Sequence, residues 1–107
     1  MFASTNDKLL LLLLARCYQL APNKWVKAAA LIEILEQFPA LAALLDAKRG
    51  GLMRELRGLA QSVQLHEQDD SYQISGAGSW TASHYRIPTI IEPEMHQVAE
   101  RLVHAAS

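Results

Sequence analysis

The chain has 107 residues, half of them hydrophobic and a fifth charged, which is a globular composition sized for one domain with a single modest core and excludes a disordered tail. Ten basic and eleven acidic residues leave a formal net charge of −1, so bulk charge points to no polyanionic partner, and any nucleic-acid surface must come from local segregation. The single cysteine, Cys17, excludes an internal disulfide and suits a reducing cytoplasm.

Ser4 to Asp7 offer N-caps before the apolar run Leu9–Leu14, and the pattern predicts a helix over 7–20, apolar nearly all round and therefore central to the core. The run is too short for a membrane span, which needs about 20 apolar residues, and Lys8 and Arg16 flank it closely. Asp7 before the first basic residue and Arg16 after the leucines also break the pattern of a secretory leader. Ala21-Pro22-Asn23-Lys24 makes a turn, Trp25-Val26 a short extended piece, and Lys27–Phe38 a second helix with Ala28, Leu31, Ile32, Leu35 and Phe38 on its apolar stripe. Pro39 interrupts that pattern, and a short helix over 40–47 follows with Leu41, Leu44 and Leu45 inward.

Gly50-Gly51 is the strongest breaker, so the next helix is expected to start there and to end near Ser62. At 3.6 residues per turn, Leu52, Leu56, Leu59 and the following Val63 fall on one side of it, and Arg54, Arg57 and Gln61 with Gly58 on the other. Lys48 and Arg49 stand at its start. Two readings of that outer face remain open on the residues alone, a phosphate-contacting surface and a solvated amphipathic helix in which Glu55 pairs with a neighbouring arginine. From Val63 the period changes to two, giving a strand, the turn Gln68–Ser71, and a return strand Tyr72–Ile74. Ser75–Ser79 reads as a flexible loop and Trp80–Ile91 as extended, with Pro88 on an irregular path. Pro93 opens a last helix with the stripe Met95, Val98, Ala99, Leu102 and Val103. That stripe can cap the core against the first helix or pair with a second chain as a homodimer.

This order of helix, helix, glycine-led basic helix and hairpin resembles the winged helix-turn-helix superfamily. Lys48–Leu59 is similar to its third helix and Val63–Ile74 to its wing, in the manner of the winged-helix modules of plasmid and phage primases and replicative helicases. Trp25-Val26 ahead of the second helix, with the leucine–arginine third helix, also resembles RNA-associated LOTUS domains. The resemblance implies an α+β fold, a three-helix core plus a β-hairpin wing with an additional C-terminal helix. The likeness covers about 7–74, and the chain reads as one domain over 1–107, with its core at 7–75, an extension at 76–92 and the last helix at 93–106. The resemblance further implies binding of nucleic acid, double-stranded DNA first, in a bacterial replication setting, with Lys48, Arg49, Arg54, Arg57 and Gln61 as contact residues. The acidic turn Gln68-Asp69-Asp70, where a DNA-gripping wing carries lysine or arginine, keeps open a second reading, a protein-interaction module of a larger replication or RNA-processing complex.

Trp80, His84, Tyr85 and Arg86 interleave aromatic and basic groups that can stack on bases, or else pack on the core as a strand. His66, His84, His96 and His104 show no chelating spacing with each other or with Cys17, so no metal or cofactor is expected. Cys17 lies in the most apolar helix, where a thiol is inert, and no carboxylate pair is spaced for acid–base work. The expectation is a binding protein and not an enzyme.

Overall fold

The computed structural model describes residues 5–45 and 49–105, with side chains described over 8–45 and 51–105. In chain order the elements are α1 (Thr5–Leu20), β1 (Val26–Lys27), α2 (Ala28–Leu35), α3 (Pro39–Leu44), α4 (Arg49–Gln61), β2 (Leu65–Gln68), β3 (Ser71–Ile74), α5 (Gly76–Ala82), a 3-10 turn (Thr89–Ile91) and α6 (Glu92–His104). Among the described residues this is an α+β arrangement of six α-helices and one three-stranded antiparallel sheet.

The leucine run makes α1 the centre of the molecule. Every residue from Leu9 to Leu14 is at most 9% exposed, on all sides of the helix, because α4, α5, α6 and β3 each pack against it. No helix among the described residues is long and apolar enough to cross a membrane. The α6 stripe, with Met95, Val98, Ala99 and Leu102 at most 2% exposed, closes the core against α1 and α2 of the same chain. Polar contacts hold α6 there. Arg16 Nη1 lies 3.0 Å from Glu92 Oε1 and 3.1 Å from His96 Nδ1, and Lys24 Nζ donates to the Ala105 carbonyl at 2.8 Å. Arg101 covers the Phe38 ring at 4.9 Å and donates to Gln37 Oε1. The stripe expected to serve either the core or a second chain is thus occupied by the core, and a partner chain would have to meet another face.

α2 stops at Leu35, short of the expected Phe38. Phe38 precedes Pro39 and takes a non-helical backbone (φ −129°, ψ 77°), since a pre-proline residue is pushed out of helical angles by the ring. In α3, Leu41 and Leu45 are buried one turn apart, whereas Leu44 is 44% exposed and not inward as expected. It sits about 100° around the helix from Leu45, away from the core-facing side.

β3 is the central strand of the sheet. It pairs with β2 (Leu65↔Ile74 to Gln68↔Ser71) and with the two-residue β1 (Val26↔Tyr72, Lys27↔Ser71). Tyr72 and Ile74 alternate inward. Asp69 and Asp70 at the hairpin turn both hold left-handed φ, 51° and 59°, as a two-residue type I′ loop requires. Asp70 also anchors the hairpin to α2, its carbonyl accepting from the Ala28 N–H at 2.9 Å.

β2 begins at Leu65 and not at Val63, because Val63 belongs to the end of α4. The Gln64 N–H reaches the Leu59 carbonyl at 2.9 Å and the Val63 N–H the Ala60 carbonyl at 3.1 Å, the paired bonds of a Schellman C-cap. The residue between them must be left-handed, and here it is a β-branched valine at φ 59°, 69% exposed. Left-handed backbone costs an L-residue about 1–2 kcal/mol that glycine escapes. Val63→Gly is therefore expected to raise unfolding stability by about 1 kcal/mol, read as a higher urea midpoint at unchanged m-value; an unchanged or lower midpoint contradicts this account of the cap.

The largest departure lies after β3. Neither the loop expected at Ser75–Ser79 nor the extended segment expected over Trp80–Ile91 is present as such; α5 spans Gly76–Ala82, Ser83–Pro88 is irregular, and Thr89–Ile91 is a 3-10 turn. Ser75 is the N-cap of α5. Its Oγ accepts from the Gly78 N–H at 3.0 Å and donates to the Val63 carbonyl at 2.6 Å, while its own N–H donates to the Gln64 carbonyl at 3.1 Å. One serine thus caps α5 and fastens it to the end of α4. Gly78 is buried in this joint, where a Cβ would stand 2.0 Å from the Gln64 carbonyl oxygen and 2.9 Å from Ile74 Cγ1. Gly78 marks a close approach between α5 and the end of α4, not a flexible loop.

Candidate nucleic-acid interface

α4 turns Leu52, Leu56 and Leu59 into the core at no more than 5% exposure and leaves Arg54, Arg57 and Gln61 exposed on the opposite side. The helix starts one residue before Gly50-Gly51, which lie within its first turn. Arg49 is its first residue; Lys48 and the Arg49 side chain lie outside the described residues. Of the five expected contact residues, Arg54, Arg57 and Gln61 share one depression of about 610 Å³ with Met53 and Gly58. Neither arginine forms an ion pair among the described residues. A Cβ on Gly58 would meet nothing within 4 Å. The fold itself therefore does not require glycine there, and mid-helix glycine costs about 1 kcal/mol against alanine.

A second depression of about 560 Å³ continues from Gln61 across Trp25, Ala60, Leu65, His66 and Glu67. It exists because β1 and β2 flank β3 in one sheet beside α4. Trp25 and His66 thus extend the face with an aromatic and an imidazole that the helical pattern of α4 alone does not reveal; Trp25 just ahead of the second helix is the only sequence signal. Below it, the buried Tyr72 hydroxyl donates to Glu67 Oε2 at 2.5 Å. Burial and the neighbouring Glu67 push the Tyr72 hydroxyl up to about 12, while the Arg57 charge acts the other way.

Trp80, His84, Tyr85 and Arg86 do not form a core-packed strand. Trp80 lies on α5, 69% exposed, its ring 4.2 Å from that of His84 and tilted by 51°. Tyr85 is half-buried under the Lys8 ammonium, 4.7 Å away. His96 pairs with Glu100 at 2.8 Å, and among the described residues no three His, Cys, Asp or Glu side chains converge as metal binding needs.

Cys17 is 2% exposed, and burial pushes its thiol up to about 12 from an ordinary 9.0. The sign of the pH effect follows. Below 9 both folded and unfolded chains hold the proton, so this stabilisation is fully present; between 9 and 12 only the unfolded chain gives it up, and stability falls as pH rises. The Tyr72 shift acts the same way from 10 upward. The unfolding free energy read from urea titrations is expected to fall steadily above pH 9, by about 1.4 kcal/mol per pH unit while one group titrates. A thiol reagent at pH 8 is expected to label Cys17 only after denaturation, and prompt labelling of the folded chain would contradict its burial.

No protein-family model matches the chain, and neither a search of curated proteins nor one of solved structures finds a match.

Proposed function

We propose that the chain is a winged-helix domain that binds nucleic acid, double-stranded DNA first, with α4 as the helix laid against it. The observation that carries this reading is the outer face of α4, where Arg54, Arg57 and Gln61 are exposed around an unobstructed Gly58 and neither arginine forms an ion pair among the described residues. Two guanidinium groups on one helical face suit phosphate oxygens, and a missing side chain between them lets a backbone come near. The order of the elements supports the reading too. α1 and α2 precede α4, the β2–β3 hairpin follows α4 directly, and β1 closes the sheet on the other edge of β3. The action is binding without chemistry, in the cytoplasmic replication setting of a plasmid or phage that the resemblance implies.

Anisotropy titrations of a labelled mixed-sequence duplex and of its single strand across a salt series test this. Affinity is expected to fall linearly with salt on logarithmic axes, and Arg54→Ala and Arg57→Ala each to weaken binding by about tenfold and flatten that slope by about one unit. Gly58→Ala makes the sharper comparison. It is expected to raise stability by about 1 kcal/mol while lowering affinity, since the only thing its methyl group meets is the ligand. Absence of duplex binding at low salt removes the proposal.

A specific observation favours a second reading, a protein-interaction module. The hairpin turn is acidic, and Asp70 joins Glu33 and Glu36 around an apolar groove beside α4.

A further inference from the structure

That groove has a volume of about 580 Å³ and runs between α2, α4 and the hairpin turn. Its floor is Ala28, Ala29, Ile32 and Met53, and its rim is the carboxylates of Glu33, Glu36 and Asp70. None of the three makes an ion pair among the described residues. The Ala28–Asp70 backbone bond fixes the turn against α2, so the rim is part of the fold and not of a wandering loop. Met53, half-buried, lines this groove and also the arginine depression on the outer face of α4. An acidic, apolar-floored recess and a basic ridge therefore lie side by side, with one methionine common to both.

Two complementary patches adjacent on one surface are what an isologous interface needs, because a twofold axis carries each patch onto the other. We propose that the occupant of the groove is a second copy of this chain. With the axis near Met53, Arg54 and Arg57 of each copy reach over the Glu33, Glu36 and Asp70 rim of the other, and the two methionine side chains meet at the centre. A net charge of −1 leaves little repulsion between copies to oppose this. The contact is electrostatic at its rim and small at its apolar centre, so salt loosens it. This self-association does not depend on the nucleic-acid reading. If that reading also holds, dimer and nucleic acid compete for the same two arginines.

Sedimentation equilibrium of the full chain over a concentration series at low and high salt tests the proposal. Wild type is expected to dimerise at low salt and to dissociate on adding salt. Glu33→Lys with Glu36→Lys, and separately Arg54→Glu with Arg57→Glu, are each expected to weaken dimerisation by about tenfold or more. These positions are exposed, and circular dichroism melts check that both variants stay folded. An equimolar mixture of the two variants restores both sets of opposite charges across one interface, so it is expected to form a heterodimer that neither forms alone. A wild-type chain that stays monomeric at low salt, dimers that survive both charge reversals, or a mixture that fails to associate would each overturn the proposal. Titrating the mixed-sequence duplex into the wild-type dimer is a separate measurement. Failure to bind duplex counts against the nucleic-acid reading and leaves the dimer result standing.

Discussion

Gly78→Ala is expected to destabilise the chain by roughly 3 kcal/mol or more, lowering the melting temperature by upward of about 12 °C, a larger effect than the same change at Gly58 or Gly76. The new Cβ would lie 2.0 Å from a backbone oxygen, and the opposing atom cannot swing aside as the end of a flexible side chain would. That oxygen belongs to Gln64, which already accepts the Ser75 N–H and whose own N–H closes the α4 cap. To make room, α5 must lift away, and the Ser75 hydroxyl then loses its bonds to both Val63 and Gly78. Gly76→Ala, two residues earlier, is the control. Its Cβ would meet nothing within 4 Å, so its stability change is expected to be small and of either sign. Thermal melts of the two variants side by side check this, and equal stabilities would show that the joint between α4 and α5 tolerates a methyl group.

Met95→Ala is expected to cost about 3 kcal/mol, within the usual range for truncating a fully buried methionine. Met95 is 0% exposed on the stripe that α6 lays against α1 and α2, where neighbouring leucines are equally sealed and have little freedom to collapse into the cavity. Gln97→Ala, on the exposed side of the same helix, is expected to change stability by less than about 0.5 kcal/mol. Urea titrations of both measure the contrast. A mild Met95→Ala effect would mean that α6 is only loosely docked and that its stripe remains available to other partners.

The elements with a strong local period were legible in the sequence. The unbroken leucines predicted a helix buried all round, and Leu9–Leu14 of α1 are so, while its last turn from Tyr18 is exposed; the split of leucines and arginines in 48–61 predicted both faces of α4. What was not legible depends on contacts between distant residues. Gly76 and Gly78 read as loop because glycine weakens a helix, yet Gly78 is there because the Gln64 carbonyl leaves no space for anything larger. Val63 read as strand because it is β-branched, whereas two hydrogen bonds closing α4 force it into a conformation that valine disfavours. The pairing Val26↔Tyr72 carries no local signal at all. The site divides the same way. Arg54, Arg57 and Gln61 follow from helical periodicity, while Trp25 and His66 join them only through the sheet. The acidic groove arises only because Asp70 is tied to Ala28 across the fold.

The central position of α1 has a consequence for biosynthesis. Thr5–Leu20 emerges from the ribosome before α6, which covers part of its leucine surface and is made last among the described elements. Folding during synthesis therefore leaves one side of α1 open until Glu92–His104 has emerged, because α6 seals the six consecutive leucines there. In that interval the nascent chain presents a continuous apolar helix of the kind that holdase chaperones bind. Ribosome-stalled chains are expected to crosslink to such chaperones through residues 9–14 until α6 has cleared the exit tunnel, and to lose that crosslink once it has.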